Sequence, residues 1–210
     1  TEADRPRLAA YFRRLLDGAP QTVRWVQGFV AEDMTKKVVV AAEQGVRLLD
    51  TSFMEDIEIL KARLFHASAG NSAWGGMVEV KVRPLRDERE VVELRPSFHA
   101  LRQVWSHLKD AVAVRRVATD DPRVRLYTLE GPEGRGAWIA WMEPGHLLLP
   151  GDPVPSAALV LQVPGDAMAQ VEPLITAPGQ SEPARRTVRA RGGALALGLT
   201  PTPVFVSVER

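Results

Sequence analysis

Cysteine is absent from this 210-residue sequence, which excludes disulfides, thiol catalysis and Cys-ligated metals without fixing a compartment. An excess of one charge is missing too. Against 27 Lys and Arg stand 26 Asp and Glu, and the net charge of +1 argues against a dedicated nucleic-acid binder. The longest apolar runs, such as Val38–Ala42 and Ala157–Leu161, fall far short of the ~20 residues a membrane span needs. Neither nucleic acid nor a membrane is therefore expected as a partner. The four histidines, His66, His99, His107 and His146, show no metal-ligand spacing, so no metal and no cofactor is expected. What remains is ordinary: 45% hydrophobic and 25% charged residues, enough apolar content to exclude disorder as the dominant state. The chain starts at Thr1 without Met or a signal-like segment, and reads as a processed chain or a fragment.

Composition changes near Asp110. Residues 1–110 hold 17 basic and 16 acidic residues, including all five Lys, whereas residues 111–210 hold 10 of each sign and most of the turn-forming Pro and Gly. Such a shift marks a domain boundary. The first part reads as alternating helix and strand. Leu8, Tyr11, Phe12, Leu15 and Leu16 recur at helical spacing over Arg7–Leu16, and Asp17-Gly18-Ala19-Pro20 closes that helix. Thr22–Phe29 is β-branched and aromatic and predicts a strand; Glu32–Gln44 predicts a helix with Gly45 after it; Val46–Phe53 predicts a second strand. A long connection follows, with a possible helix within Asp56–Ala67, then an amphipathic helix over Pro96–Leu108. Helices and strands in this alternation indicate parallel βα units.

The second part predicts eight short strands: Val112–Val117, Val124–Leu129, Ala137–Met142, Ala157–Gln162, Val171–Ile175, Thr187–Ala190, Ala194–Leu197 and Val204–Val208. Turn signals such as Asp120-Asp121-Pro122, Pro164-Gly165 and Gly192-Gly193 separate them, the grammar of an antiparallel sandwich. The fold class is thus multidomain α/β plus all-β, with βα units in 1–110 and a β-sandwich in 111–210. Trp138 and Trp141 lie three apart on one strand and face opposite ways; Trp25 and Trp105 are expected in the core.

Three stretches together resemble the C-terminal part of retaining, clan A-like glycoside hydrolases, built on a (β/α)8 barrel with a trailing β-sandwich. The first is Pro20…Trp25-Val26-Gln27-Gly28, then Glu32–Gln44, Gly45-Val46 and Arg47–Phe53, similar to the family's seventh strand, helix and eighth strand. The second is Trp74-Gly75-Gly76-Met77 with Arg95-Pro96-Ser97-Phe98-His99-Ala100-Leu101, which looks like the passage into the eighth helix. The third, Leu197-Gly198-Leu199-Thr200-Pro201-Thr202-Pro203-Val204-Phe205-Val206, resembles the closing strand of the sandwich. The resemblance implies a partial barrel segment followed by the sandwich. It also implies an oligo- or polysaccharide partner, contact with the missing N-terminal part of the barrel or another chain, and a secreted or periplasmic setting.

Retaining hydrolysis needs two carboxyl groups, an acid/base and a nucleophile. The resemblance places the acid/base on a fourth strand outside this chain and the nucleophile at Gln27, where an amide can form no glycosyl ester. The isolated chain is accordingly expected to be inactive. Two alternatives stay open: Glu32, five residues on, either reaches the cleft or merely favours a helix N-terminus, or Thr1-Glu2 ends strand seven and Thr22–Phe29 is strand eight. Glu55 and Asp56, just past the proposed eighth strand, either bind sugar hydroxyls or are solvated loop acids. Trp74, in a Gly-rich loop, and Phe53 each either stack on a sugar ring or pack inside. Arg185, Arg186, Arg189 and Arg191 read as a solvated strand face or a contact for an anionic polysaccharide.

Overall fold

The computed structural model describes residues 2–46, 49, 54–55, 74–83, 88–131 and 136–208. A single turn of 3-10 helix, Glu2–Asp4, leads into helix α1, Arg5–Leu16. Asp17-Gly18 ends it, with Gly18 at φ 64° and the Ala19 amide donating to the Arg14 carbonyl at 2.9 Å. That left-handed backbone is one that glycine adopts without a Cβ penalty.

Helix α2 runs unbroken for 24 residues, Pro20–Glu43. The strand expected over Thr22–Phe29 is therefore overturned. Pro20 presets the first helical turn, and buried Thr22, Val26, Gln27, Ala31, Met34, Thr35 and Val39 form a continuous helical stripe that outweighs the local β propensity of TVRWVQGF. Glu32 consequently sits mid-helix, not at an N-terminus. The predicted strand over Val46–Phe53 and helix within Asp56–Ala67 lie almost wholly outside the described residues.

Strands β1, Val78–Arg83, and β2, Glu88–Leu94, form a hairpin that the sequence reading had left as connection. Helix α3, Pro96–Leu108, follows as expected. Residues at its entry explain the spacing of the second resemblance stretch. Ser97 Oγ donates to the Gly76 carbonyl at 3.0 Å, and the Arg95 amide donates to the Met77 carbonyl at 2.8 Å. The buried Arg95 guanidinium bridges Glu79 and Glu93, both at 2.8 Å, tying α3 to the hairpin.

Among the described residues eight strands follow: β3 Ala113–Val117, β4 Val124–Glu130, β5 Gly136–Met142, β6 Ala157–Gln162, β7 Met168–Pro173, β8 Arg186–Arg189, β9 Ala194–Leu199 and β10 Val204–Val208. They lie near their expected places, except that β7 begins three residues before Val171 and ends at Pro173. Six of them make one antiparallel sheet in the order β3-β4-β5-β10-β7-β8, and β6 pairs with β9 in a second. The last strand thus closes the large sheet between β5 and β7. One face of that sheet packs on β6–β9 through residues such as Leu126, Val171, Leu159 and Leu197. The other face packs on α2 and α3 through Ile139, Trp141, Phe205, Val39 and Val104. Trp141 is buried in the helix-side core while Trp138 packs against the strand-side core, as their odd spacing requires.

The chain is thus a mixture of helices and antiparallel sheets. Among the described residues every strand ladder is antiparallel, and the isolated Glu55–Val78 bridge alone runs parallel.

Candidate functional site

Helix α2 presents Trp25, Phe29, Glu32 and Lys36 at i, i+4, i+7 and i+11, which is one face. That face borders a half-open cavity of about 830 Å³, lined elsewhere by α1 (Leu8, Tyr11, Phe12), the loop Glu143–Leu149, Val154, the segment Thr176–Pro178 after β7 and the turn Pro201-Thr202 before β10. Trp25 and Phe29 stack with ring centroids 5.3 Å apart at 13°, and Tyr11 meets Trp25 edge-on at 5.7 Å. These contacts fix an aromatic wall, of which Phe29 remains 43% exposed.

Four polar groups gather at one end, while Gln21 and Arg24 line the cavity from the first turns of α2. Thr202, on the turn before β10, donates its hydroxyl to Glu32 Oε1. Burial raises the Glu32 carboxyl above its ordinary value; the Thr202 hydrogen bond and Lys36 oppose the rise, and the Glu143 carboxylate adds to it. Glu143 is oriented by the Trp141 indole N–H, which donates to its Oε1 at 2.6 Å. At the rim, His146 Nδ1–H donates to the Pro144 carbonyl at 2.9 Å. The corner therefore holds one carboxyl biased toward its protonated form, a second carboxylate and one ammonium. Such a set accepts and donates hydrogen bonds to hydroxyl groups. Among the described residues no group of His, Asp and Glu is arranged to hold a metal ion.

The expected site residues are scattered. Gln27 is 4% exposed on the buried side of α2 and ends no strand, so its strand-end placement is corrected. Its neighbour Gly28 is a glycine for a packing reason: a Cβ there would lie 3.0 Å from the Thr176 carbonyl oxygen. With Thr22–Phe29 helical, the alternative that made it strand eight falls too. Glu2 is exposed and lies 3.4 Å from Arg5. Trp74 is 8% exposed and packs with Tyr11, Leu15, Val26 and Leu149, so no ring face is offered to a sugar. Glu55 is held by Arg89 at 2.6 Å, away from the cavity; Phe53 and Asp56 lie outside the described residues. Among the described residues of that set, only Glu32 lines the cavity. Trp105, expected in the core, is 65% exposed. In the arginine cluster, Arg185 bonds Glu172 at 2.6 Å and Arg189 lies 3.4 Å from Asp166.

Glu143, Phe29, Lys36 and Thr202 were not singled out from the sequence. For Phe29 and Lys36 the i, i+4, i+7, i+11 pattern is the available signal, visible only once residues 22–29 are helical; no spacing marks Glu143 and Thr202, which lie off α2.

No family model and no curated protein matches the chain. Solved structures that resemble it are glycoside hydrolases. A 4-O-α-L-rhamnosyl-β-D-glucuronidase from Fusarium oxysporum 12S is 10% identical with a TM-score of 0.44, over 67% of this chain and 33% of that one. The catalytic domain of GH30 xylanase C from Talaromyces cellulolyticus is 13% identical with a TM-score of 0.42, over 67% and 28%. A GH51 arabinofuranosidase from Xanthomonas axonopodis pv. citri is 15% identical with a TM-score of 0.37, over 66% and 29%. The chain spans a third or less of the length of these structures.

Proposed function

We propose that this chain is the C-terminal portion of a glycosidase-related protein and binds carbohydrate in the cavity beside α2 without cleaving it as an isolated chain. One observation carries the reading: an aromatic wall, Trp25 on Phe29, stands next to a corner of hydroxyl-binding groups, Glu32, Lys36, Glu143 and Thr202, in one cavity. Sugar rings present apolar C–H faces and hydroxyl edges, and this pairing complements both. The sequence resemblance adds support, because Ala100 of the motif that enters α3 and Phe205 of the closing strand β10 share one core.

The two carboxyl groups already accept hydrogen bonds, from Thr202 and from Trp141, and serve here as binders. Retention of the chain on immobilised oligosaccharides, with no reducing sugar released, is the expected result. Glu143→Gln should weaken retention several-fold. Unchanged retention in that variant, or release of sugar by the parent chain, overturns the reading.

A second reading, a structural module that docks on another chain, is favoured by the 65% exposure of Trp105 on α3. Light scattering decides it: a monomer at high concentration, unaffected by Trp105→Glu, counts against docking on a second copy.

A further inference from the structure

We infer that the cavity takes an amphipathic glycoconjugate, an aryl or alkyl glycoside, with its apolar aglycone on the aromatic wall and its sugar at the acid corner. The inference rests on the carbohydrate reading above and narrows it to a substrate class. The distribution of the lining argues for it. Leu8, Phe12, Trp25, Phe29, Leu147 and Val154 surround most of the space with hydrocarbon. Three of them keep substantial surface in water: Phe29 at 43%, Leu147 at 40% and Val154 at 68% exposure. Clustered exposure of this kind marks a surface that a ligand covers.

Beyond the one ring whose C–H face lies on Trp25 and Phe29, a bare polysaccharide displays hydroxyls that would lose water against the remaining aliphatic lining without gaining partners. An aryl or alkyl group has no such bonds to lose. Four polar groups, by contrast, sit together: Thr202 bonds Glu32, and Lys36 and Glu143 both act on the same carboxyl, whereas Gln21 and Arg24 line the space singly from the first turns of α2. One apolar region and one polar corner in a space of about 830 Å³ call for a ligand with the same two ends, and the volume lies in the usual range for small-molecule sites.

Titration calorimetry on the full chain, with methyl, hexyl and octyl glycosides of glucose, xylose and galactose below their micelle concentrations, tests the assignment. Affinity should rise from methyl to octyl by roughly fourfold per methylene buried, the ~0.8 kcal/mol of transfer converted at ~1.4 kcal/mol per tenfold. Phe29→Ala and Val154→Asp should each remove tenfold or more of the octyl affinity, and Val154→Asp, at a 68% exposed position, should do so with thermal unfolding unchanged. Equal binding of methyl and octyl forms, or octyl binding indifferent to both substitutions, overturns this inference and leaves the carbohydrate reading standing. Octanol binding as tightly as every octyl glycoside overturns the sugar end, and the carbohydrate reading with it. Absence of binding by the whole series overturns both.

Discussion

Gly28 and Glu32 lie one turn apart on α2 and answer to opposite demands. At Gly28 the helix approaches the Thr176 carbonyl so closely that a methyl group would sit 3.0 Å from the oxygen. Alanine would gain up to about 1 kcal/mol of helix propensity, while forced contact with backbone typically costs about 1–3 kcal/mol. The clash should win, and Gly28→Ala should lower the urea midpoint at unchanged m-value; a higher midpoint would show that α2 shifts freely. At Glu32 burial raises the carboxyl above 4.5, so the folded chain holds this proton to higher pH than the unfolded chain does. The associated stability is present below the unfolded value and is lost as pH rises through the folded one. Glu172 behaves in the opposite sense. Burial alone would raise it, but hydrogen bonds from His107, Arg185 and Gln103 bring it below 4.5, and the stability it adds is lost as pH falls. Urea midpoints followed across pH should therefore separate the two. Glu32→Gln should flatten the decline as pH rises from 4.5, and Glu172→Gln the decline as pH falls from 4.5. Identical pH profiles for both variants and the parent would contradict these assignments.

Among the elements, α2 shows how local preference and final structure part. Thr22, Val23, Trp25, Val26 and Phe29 favour extended backbone residue by residue, yet Thr22 and Val26 open a 3.6-residue stripe that continues through Val39. Burying Val26 against α1, Trp74 and Leu149, and Ala31 and Val39 against α3 and the sheet, decides the matter. Arg24→Pro tests it: an interior proline should cost about 3 kcal/mol or more and reduce helical circular dichroism. Unchanged ellipticity would return the segment to extended structure. The strands β3–β10 were legible because one period governs them; β6 alternates buried and exposed residues along its whole length. Hairpin β1–β2 was not legible, since nearly all of β2 faces outward and no alternation marks it. In α3 the apolar stripe was read correctly, but Trp105 lies outside the part of it that a neighbour covers. Which face of a helix meets a partner is a property of the partner.

For the whole molecule, the compositional change at Asp110 falls in the turn after α3, yet the helix-side core crosses it, joining Ala31, Val39, Ala100 and Val104 to Tyr127, Ile139, Trp141 and Phe205. Calorimetry should accordingly record one cooperative transition, and Trp141→Ala should lower stability by about 3–5 kcal/mol in that same transition. Two separated transitions would show that the parts fold independently. The sequence by itself determined the β-rich second part, the helices at Arg7–Leu16 and Pro96–Leu108 and the opposed Trp138 and Trp141, because each follows from a short-range period. Tertiary structure alone decided that residues 22–29 are helical, that Gln27 and Trp74 are buried, and that Glu32 meets Glu143 and Thr202 in one cavity. Those three acid-corner residues lie on distant parts of the chain, and only the packing of α2 against the loops at the sheet's end brings them together.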